Sequence, residues 1–237
     1  LLEEEKSKEL LASLEGRPWT VRSVKERNYT TSPKAPFITS TLQQEASRKL
    51  NLSASHTMSI AQRLYENGHI TYMRTDSTNL SKQALTAARS AAKSMYGEEY
   101  VHDKPRNYTS SSKGAQEAHE AIRPTGDHFV HPGESGLKGR EKALYDLIWK
   151  RTVACQMADA RKTSVSVELE VDVDGQEVVF RATGNRTDFA GFISAYIEGT
   201  DDPEEALAQN DSFLPEMEEG DEVECTGVEP IRHETKP

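Results

Sequence analysis

The chain has 237 residues and a mass of 26.4 kDa, enough for one large or two ordinary domains with a sizeable core, which excludes a minimal disulfide-stapled scaffold. With 35% hydrophobic and 29% charged residues and a mean hydropathy of -0.72 it is polar, yet keeps enough Leu, Ile, Val and aromatics to stand outside the disordered class. The net charge of -10, taken whole, argues against a nucleic-acid binder, because neutralising phosphate needs a basic surface.

Residues 1–16 set Leu1, Leu2, Leu10, Leu11 and Leu14 among charges and stop at Gly16 and Pro18, the pattern of a helix closed by a C-terminal glycine. Trp19, Val21, Val24 and Tyr29 predict one extended strand with a slip in its alternation, ended by the turn-rich TTSPKAP. From Phe37 to Arg161 the pattern is helical. Thr39 or Ser40 is the expected cap of a helix through TLQQEASRKL. Ser55 is the expected cap of HTMSIAQRLYENG, with Met58, Ala61, Leu64 and Tyr65 on one face and Gly68 as its stop. HITYM is a short β-type run, and LSKQALTAARSAAKSMYG is a third helix closing at Gly97. Residues 101–115 form a polar loop, and REKALYDLIWKRTVACQMA is a long amphipathic helix with Leu144, Leu147, Ile148 and Val153 inward.

Beyond Lys162 the period becomes two: Val165, Val167, Leu169, Val171 and Val173 alternate with polar residues, and Asp174-Gly175 is a strong hairpin turn into QEVVFRATG. DEVECTGVEPI is a further strand, and EGTDDPEEALAQNDSFLPEMEEGD reads as an acidic, solvated connection. The expected fold class is α+β. A helical domain, residues 37–161, is inserted into an antiparallel β-rich domain of residues 17–36 and 162–237, while residues 1–16 are a helix belonging to a neighbouring part. The insertion hangs on two adjoining connections, near Pro33 to Pro36 and Arg161 to Thr163, which suit a hinge. Cys155 and Cys225, without a C-x-x-C, are expected to be buried reduced thiols. No stretch approaches the ~18 apolar residues of a membrane span and no signal peptide opens the chain, so a cytoplasmic protein is expected. A start without Met and a loop-like HETKP end suggest a piece of something longer.

The segment HITYMRTDSTNLS concentrates the chemistry. If Ile70 to Arg74 is extended, Tyr72 and Arg74 face one side, and Asp76 to Asn79 open the next helix, whose free N–H groups suit a phosphate. A phenol is a weak nucleophile at neutral pH unless its oxyanion is stabilised or its proton removed. A guanidinium beside it can bind non-bridging phosphate oxygens bidentately and stabilise the charge developing on them. On spacing alone, a plain strand tyrosine with Arg74 paired to Asp76 is the simpler alternative. In AQEAHEAIRPT, residues Glu117, His119, Glu120 and Arg123 fall within two helical turns ending at Pro124. His119 suits a phosphate ligand or proton carrier, or a surface histidine paired on its own helix. No other ligand cluster supports a metal there.

Three strings, APFITSTLQQEASRKL, SIAQRLYENGHITYMRTDSTNLS and QEAHEAIRPT, closely resemble the central region of bacterial type IA DNA topoisomerases, in the same order. The resemblance covers nearly the whole chain. It implies an isomerase that relaxes negatively supercoiled DNA without ATP, with a helical domain carrying the active-site tyrosine on a β-rich arch. Tyr72 then corresponds to the nucleophile that forms a 5'-phosphotyrosyl linkage, and Arg74 to the arginine that positions the scissile phosphate. His119 matches a DNA-binding histidine, with Thr75 and Asp76 as further DNA-binding candidates. Mg2+ is implied for the whole enzyme, held by an N-terminal toprim domain whose D-x-D-x-E pattern is missing here. The run Asp172 to Asp174 reads as solvent-facing strand residues rather than metal ligands. The implied partners are single-stranded segments of supercoiled DNA, the toprim domain and C-terminal DNA-binding regions, with no membrane and a place at the bacterial nucleoid. The chain by itself is expected not to relax DNA. A noncatalytic single-strand-binding or protein-interaction module is the alternative.

Counting by region changes the meaning of the acidic balance. Residues 17–161 carry a net +8, residues 162–237 a net -15 and residues 1–16 a net -3. The tyrosine-bearing stretch is basic, which fits DNA handling.

Overall fold

The computed structural model describes residues 4–14, 16–108, 120–197, 211–229 and 231. The fold is α+β, and the chain divides into two compact units.

The first unit takes Leu1–Tyr29, Lys162–Asp188 and Ala208–Pro237. It holds helix α1 (Glu4–Leu14) and most of a four-stranded sheet. The sheet is made of β1 (Trp19–Thr31), β2 (Ala160–Val173), β3 (Gln176–Phe189) and β4 (Glu222–Val223), in the order β3-β2-β1-β4. Leu14, Trp19 and Val171 form its small buried core, with Leu10, Leu169 and Val223 packed around them and the Trp19 ring 4.8 Å from that of Phe180. The β2–β3 connection is the Asp174-Gly175 turn. Both residues have positive φ, 54° and 85°, the backbone that a two-residue hairpin matching the twist of its strands requires. The aspartates of the Asp172 to Asp174 run serve that turn: the Asp172 carboxylate accepts the Gly175 N–H, and Asp174 pairs with Arg17 at 2.8 Å. The strand expected from DEVECTGVEPI shrinks to two residues. It starts after the Gly220 turn and runs into Thr226-Gly227, so β4 pairs only Trp19 with Val223 and Thr20 with Glu222. Cys225, just past it, is exposed, contrary to expectation, whereas Cys155 is buried.

The second unit takes Thr30–Arg161 and Phe189–Leu207, so the chain passes between the units at four points. Helices α2 (Thr39–Leu50), α3 (Ala54–Glu66) and α4 (Lys82–Tyr96) pack around α5 (Gly139–Ala154), followed by the short α6 (Ser194–Ile197). α5 is central: Leu144, Leu147, Ile148, Trp149 and Val153 are all buried in one core with Phe37, Leu42, Ile60, Leu64 and Met157. α3 begins earlier than its sequence suggests. Ser53, not Ser55, is its cap, accepting the His56 N–H at 3.3 Å. α4 begins later, at Lys82 with Ser81 as cap, rather than at Asp76 to Asn79. The reason is local: Thr75 and Ser77 hydroxyls accept the N–H groups of Ser77 and Asn79, turns that compete with helix. Residues 120–124 are extended rather than helical, bridging Ile122 to Phe37 and Pro124 to Ile70. Pro124 disfavours helix at Arg123, and burial of Ile122 fixes the rest.

Charge follows the units differently from the sequence regions. The first carries -10; the second has 18 Lys plus Arg and 18 Asp plus Glu, because the acidic stretch from Glu198 to Glu205 groups with it. The +8 of residues 17–161 therefore does not make the helical unit basic as a whole.

Candidate active site

Between α3 and α4 the chain runs as an unpaired rib rather than the β-type segment expected of HITYM; only Ile70 forms a bridge. Its burial still alternates with period two. From Tyr72 to Ser77, the residues Met73, Thr75 and Ser77 are buried while Tyr72, Arg74 and Asp76 are exposed, so Tyr72 and Arg74 share one edge; Ile70, buried before this run, is out of its phase. Tyr72 is 49% exposed.

Hydroxyl groups fasten the rib on both sides. Thr71 N–H donates to the Arg123 carbonyl at 2.9 Å, the Thr71 hydroxyl to the Ala121 carbonyl at 2.7 Å, and Arg123 N–H back to that hydroxyl at 3.0 Å. From α2, the Thr39 hydroxyl donates to the Met73 carbonyl at 2.8 Å and accepts the Thr75 N–H at 3.0 Å, while Thr39 N–H donates to the Thr75 carbonyl at 3.0 Å. A strand would take these backbone bonds from a neighbouring strand. Here the extended residues 121–125 supply them only up to Thr71, and Thr39 supplies them at Met73 and Thr75, which leaves the outer edge with no partner strand among the described residues.

Arg74 makes no ion pair or hydrogen bond among the described residues, so the alternative of an Arg74–Asp76 pair finds no support. Arg74, Thr75 and Asp76 line a groove of about 470 Å³ with Thr39, Ser40 and Gln43. The helix N-terminus at Arg74 is therefore that of α2, not of α4. α2 follows Ile38, which offers no side-chain cap; the Thr39 N–H is taken by the Thr75 carbonyl, and the N–H groups after it lend the groove positive partial charge. The start of α4 is already satisfied by Ser81 and by Glu120, whose carboxylate accepts the Ser81 N–H at 2.7 Å. Burial raises the Glu120 carboxyl, but hydrogen bonds from Arg123 and Ser81 outweigh it and hold it below the usual carboxylate range. Arg123, 8% exposed, is a structural clamp, bonding Glu120 and the Pro124 carbonyl at 2.8 Å.

Of the residues singled out in the sequence, Tyr72, Arg74, Thr75 and Asp76 come together on this rib; Thr75 is turned inward and holds it. His119 and Glu117 lie outside the described residues. Sequence reasoning passed over two features. Tyr65, on the last turn of α3, is 43% exposed and meets Tyr72 edge to face with ring centroids 5.3 Å apart. The first turn of α2 supplies the groove's opposite wall. An aromatic left exposed on an amphipathic helix and the hydroxyl-rich string ITSTLQQ were the available signals.

An exposed tyrosine and arginine on one edge, beside a helix N-terminus, have the chemistry to offer a phenol oxygen and to hold an anionic phosphoryl group. Comparison with known proteins narrows this class. A family model described as DNA topoisomerase matches residues 1–237. DNA topoisomerase 1 of Synechocystis is 54% identical over 237 residues, all of this chain and 26% of that protein; that of Streptomyces coelicolor is 51% identical, over all of this chain and 25% of that protein. The structure of full-length topoisomerase I from Thermotoga maritima superimposes with a TM-score of 0.72 at 35% identity, covering 94% of this chain and 35% of that one. The chain belongs to the bacterial type IA DNA topoisomerase family, and it spans about a quarter of the length of the curated relatives it matches.

Proposed function

We propose that this chain carries the nucleophile of a type IA topoisomerase that relaxes negatively supercoiled DNA by transient cleavage of one strand, strand passage and religation. The shared exposed edge of Tyr72 and Arg74 beside the α2 N-terminus carries the reading. The Tyr72 oxygen attacks a backbone phosphorus, the bond from phosphorus to the 3'-oxygen breaks, and the proton lost by the phenol ends on the released 3'-hydroxyl. A 5'-phosphotyrosyl ester remains. Attack by the 3'-hydroxyl reverses each step, so the phosphodiester is conserved and no ATP is needed. Arg74 holds the non-bridging oxygens as charge builds on them. The extended geometry of the rib keeps the phenol and guanidinium aimed alike, so little reorientation is left to the reaction. His119 is assigned to DNA binding, with Asp76 beside the phosphate groove.

The donor set of the described residues does not fit the Mg2+ that the family implies. Among the described residues no three or more His, Cys, Asp or Glu side chains gather, and the Asp172 to Asp174 run is engaged in a turn. We assign that ion to a toprim domain outside this chain, and derive no step through it. The tyrosine-bearing helical domain and the β-rich arch of the family are assigned to the second and first units. Among the described residues no helix is long and apolar enough to cross a membrane.

In a full-length topoisomerase carrying this chain, Tyr72→Phe should abolish covalent capture of a single-stranded oligonucleotide, seen as a denaturant-resistant adduct on a gel. Arg74→Ala should slow adduct formation by about 100-fold or more, the loss expected for one transition-state donor. Persistence of the adduct in Tyr72→Phe removes the assignment. The chain alone, with Mg2+ and supercoiled plasmid, should leave the plasmid supercoiled.

A further inference from the structure

The second unit is formally neutral, yet one groove of about 340 Å³ gathers four cations, Lys34, Arg48, Lys49 and Arg151, around the single carboxylate of Glu45. It lies on another flank of α2 from the Arg74 groove: Ser40 and Gln43 face Arg74, whereas Glu45, Arg48 and Lys49, at about 100° per residue, face away from them. We propose that this second groove binds a phosphate group, as free phosphate or as one phosphate of a nucleic-acid backbone, at a place separate from Tyr72.

The charge does not balance internally. Glu45 receives Arg48 at 2.7 Å and Lys49 at 3.3 Å and stands 3.8 Å from Arg151, while Lys34 has no ion pair among the described residues. Burial raises the Glu45 carboxyl, but the hydrogen bond from Arg48 and the charges of Lys49 and Arg151 overcome it, so this carboxylate stays ionised and its neutralising power is fully used. Three positive charges are left over around the groove, with Arg151 buried and Arg48 and Lys49 at its open side, and their summed field attracts an anion.

Arg151 supplies the fixed element. Its side chain is 7% exposed and its guanidinium is held 4.4 Å over the Phe37 ring, yet its buried Nε has no hydrogen-bond partner. A buried guanidinium with an unused donor is costly unless something pairs with it. Lys49 is likewise oriented, with its ammonium 4.7 Å over the Tyr196 ring. Thr31 and Ser32 line the same groove, and residues of this type carry hydroxyl donors that suit a tetrahedral oxyanion. A preset guanidinium, lysines and hydroxyl-bearing residues around an open volume describe a phosphate receptor better than a closed ion-pair cluster.

Titration of the chain with inorganic phosphate at constant ionic strength, followed by amide NMR, tests this. Saturable shifts are expected at Thr31, Ser32, Arg48 and Lys49. The double variant Arg48→Gln, Lys49→Gln alters exposed positions and should keep the native spectrum while weakening phosphate by roughly tenfold or more. Tyr72→Phe should leave phosphate affinity unchanged, so failure of the nucleophile assignment and failure of this site are separate results. Shifts confined to the Arg74 groove, shifts without saturation, or full affinity in the double variant would each overturn the proposal. A short single-stranded oligonucleotide then identifies the source. If it displaces phosphate, and its salt dependence falls by about 0.7 per lost contact in the double variant, the group bound is a backbone phosphate. If it does not compete, the site is one for free phosphate.

Discussion

Tyr65 stands against Tyr72 as a neighbouring ring on the candidate site. Its edge-to-face contact with Tyr72 is of a kind that contributes about 0.5–1.5 kcal/mol beyond burial, and here it restrains a ring that is otherwise half in solvent. Tyr65→Ala should therefore slow adduct formation by roughly twofold to tenfold in the full-length enzyme, while Tyr65→Phe, which keeps the ring, should not. Rapid-quench measurement of adduct yield distinguishes the two. At this scale the sequence was most legible where period two applies. Tyr72 and Arg74 share a side as their spacing indicates. Tyr65 was assigned to the buried face because a helical wheel marks it apolar, without showing that α3 ends there and leaves its last turn in solvent.

Elements were legible in type and less so in their ends. All four long helices of the second unit and the β2–β3 hairpin follow from periodicity and the Asp-Gly turn, signals that are local in the chain. The misplaced features depend on partners distant in sequence or on short side-chain turns that carry no periodicity. The extended residues 120–124 are set by Phe37 and Ile70, and the late start of α4 by the Thr75 and Ser77 turns and Glu120. Glu120 offers a test of that last arrangement. Its carboxyl is held below its unfolded value, so its contribution is complete above the unfolded carboxylate pKa and is lost as pH falls through the folded one. Glu120→Gln should destabilise the chain by roughly 1 kcal/mol at pH 7, at the low end because the carboxylate is partly exposed. The gap from wild type should close as the pH drops below ~4. Denaturant melts across pH measure it.

For the whole molecule, the division of the chain was the hardest feature to foresee. The return of Phe189–Leu207 to the helical unit is not marked by composition. It depends on packing such as Phe189 on Tyr100, 4.9 Å between rings, and on Gly191. Gly191 has φ +50, and a Cβ there would lie 2.5 Å from the Asp159 carbonyl oxygen and 2.6 Å from that of Ala158. Gly191→Ala should destabilise the second unit by about 2–4 kcal/mol through strain and overpacking. The chain has two tryptophans, both buried, with Trp19 in the first unit and Trp149 in the second. Single-tryptophan versions should show the Trp149 transition moving to lower denaturant in Gly191→Ala, with that of Trp19 moving less.

From Tyr72 to Ser77 the rib turns alternate side chains outward and inward. Because its outward and inward positions alternate without a partner strand to enforce register, the site is defined by parity rather than by a fixed frame. One residue inserted between Tyr72 and Arg74 would turn the guanidinium toward the core, whereas two would return it to the phenol's side about 7 Å farther along. The spacing Tyr-x-Arg is thus the shortest even step available, and Met73, buried between them, is the peg that keeps the count.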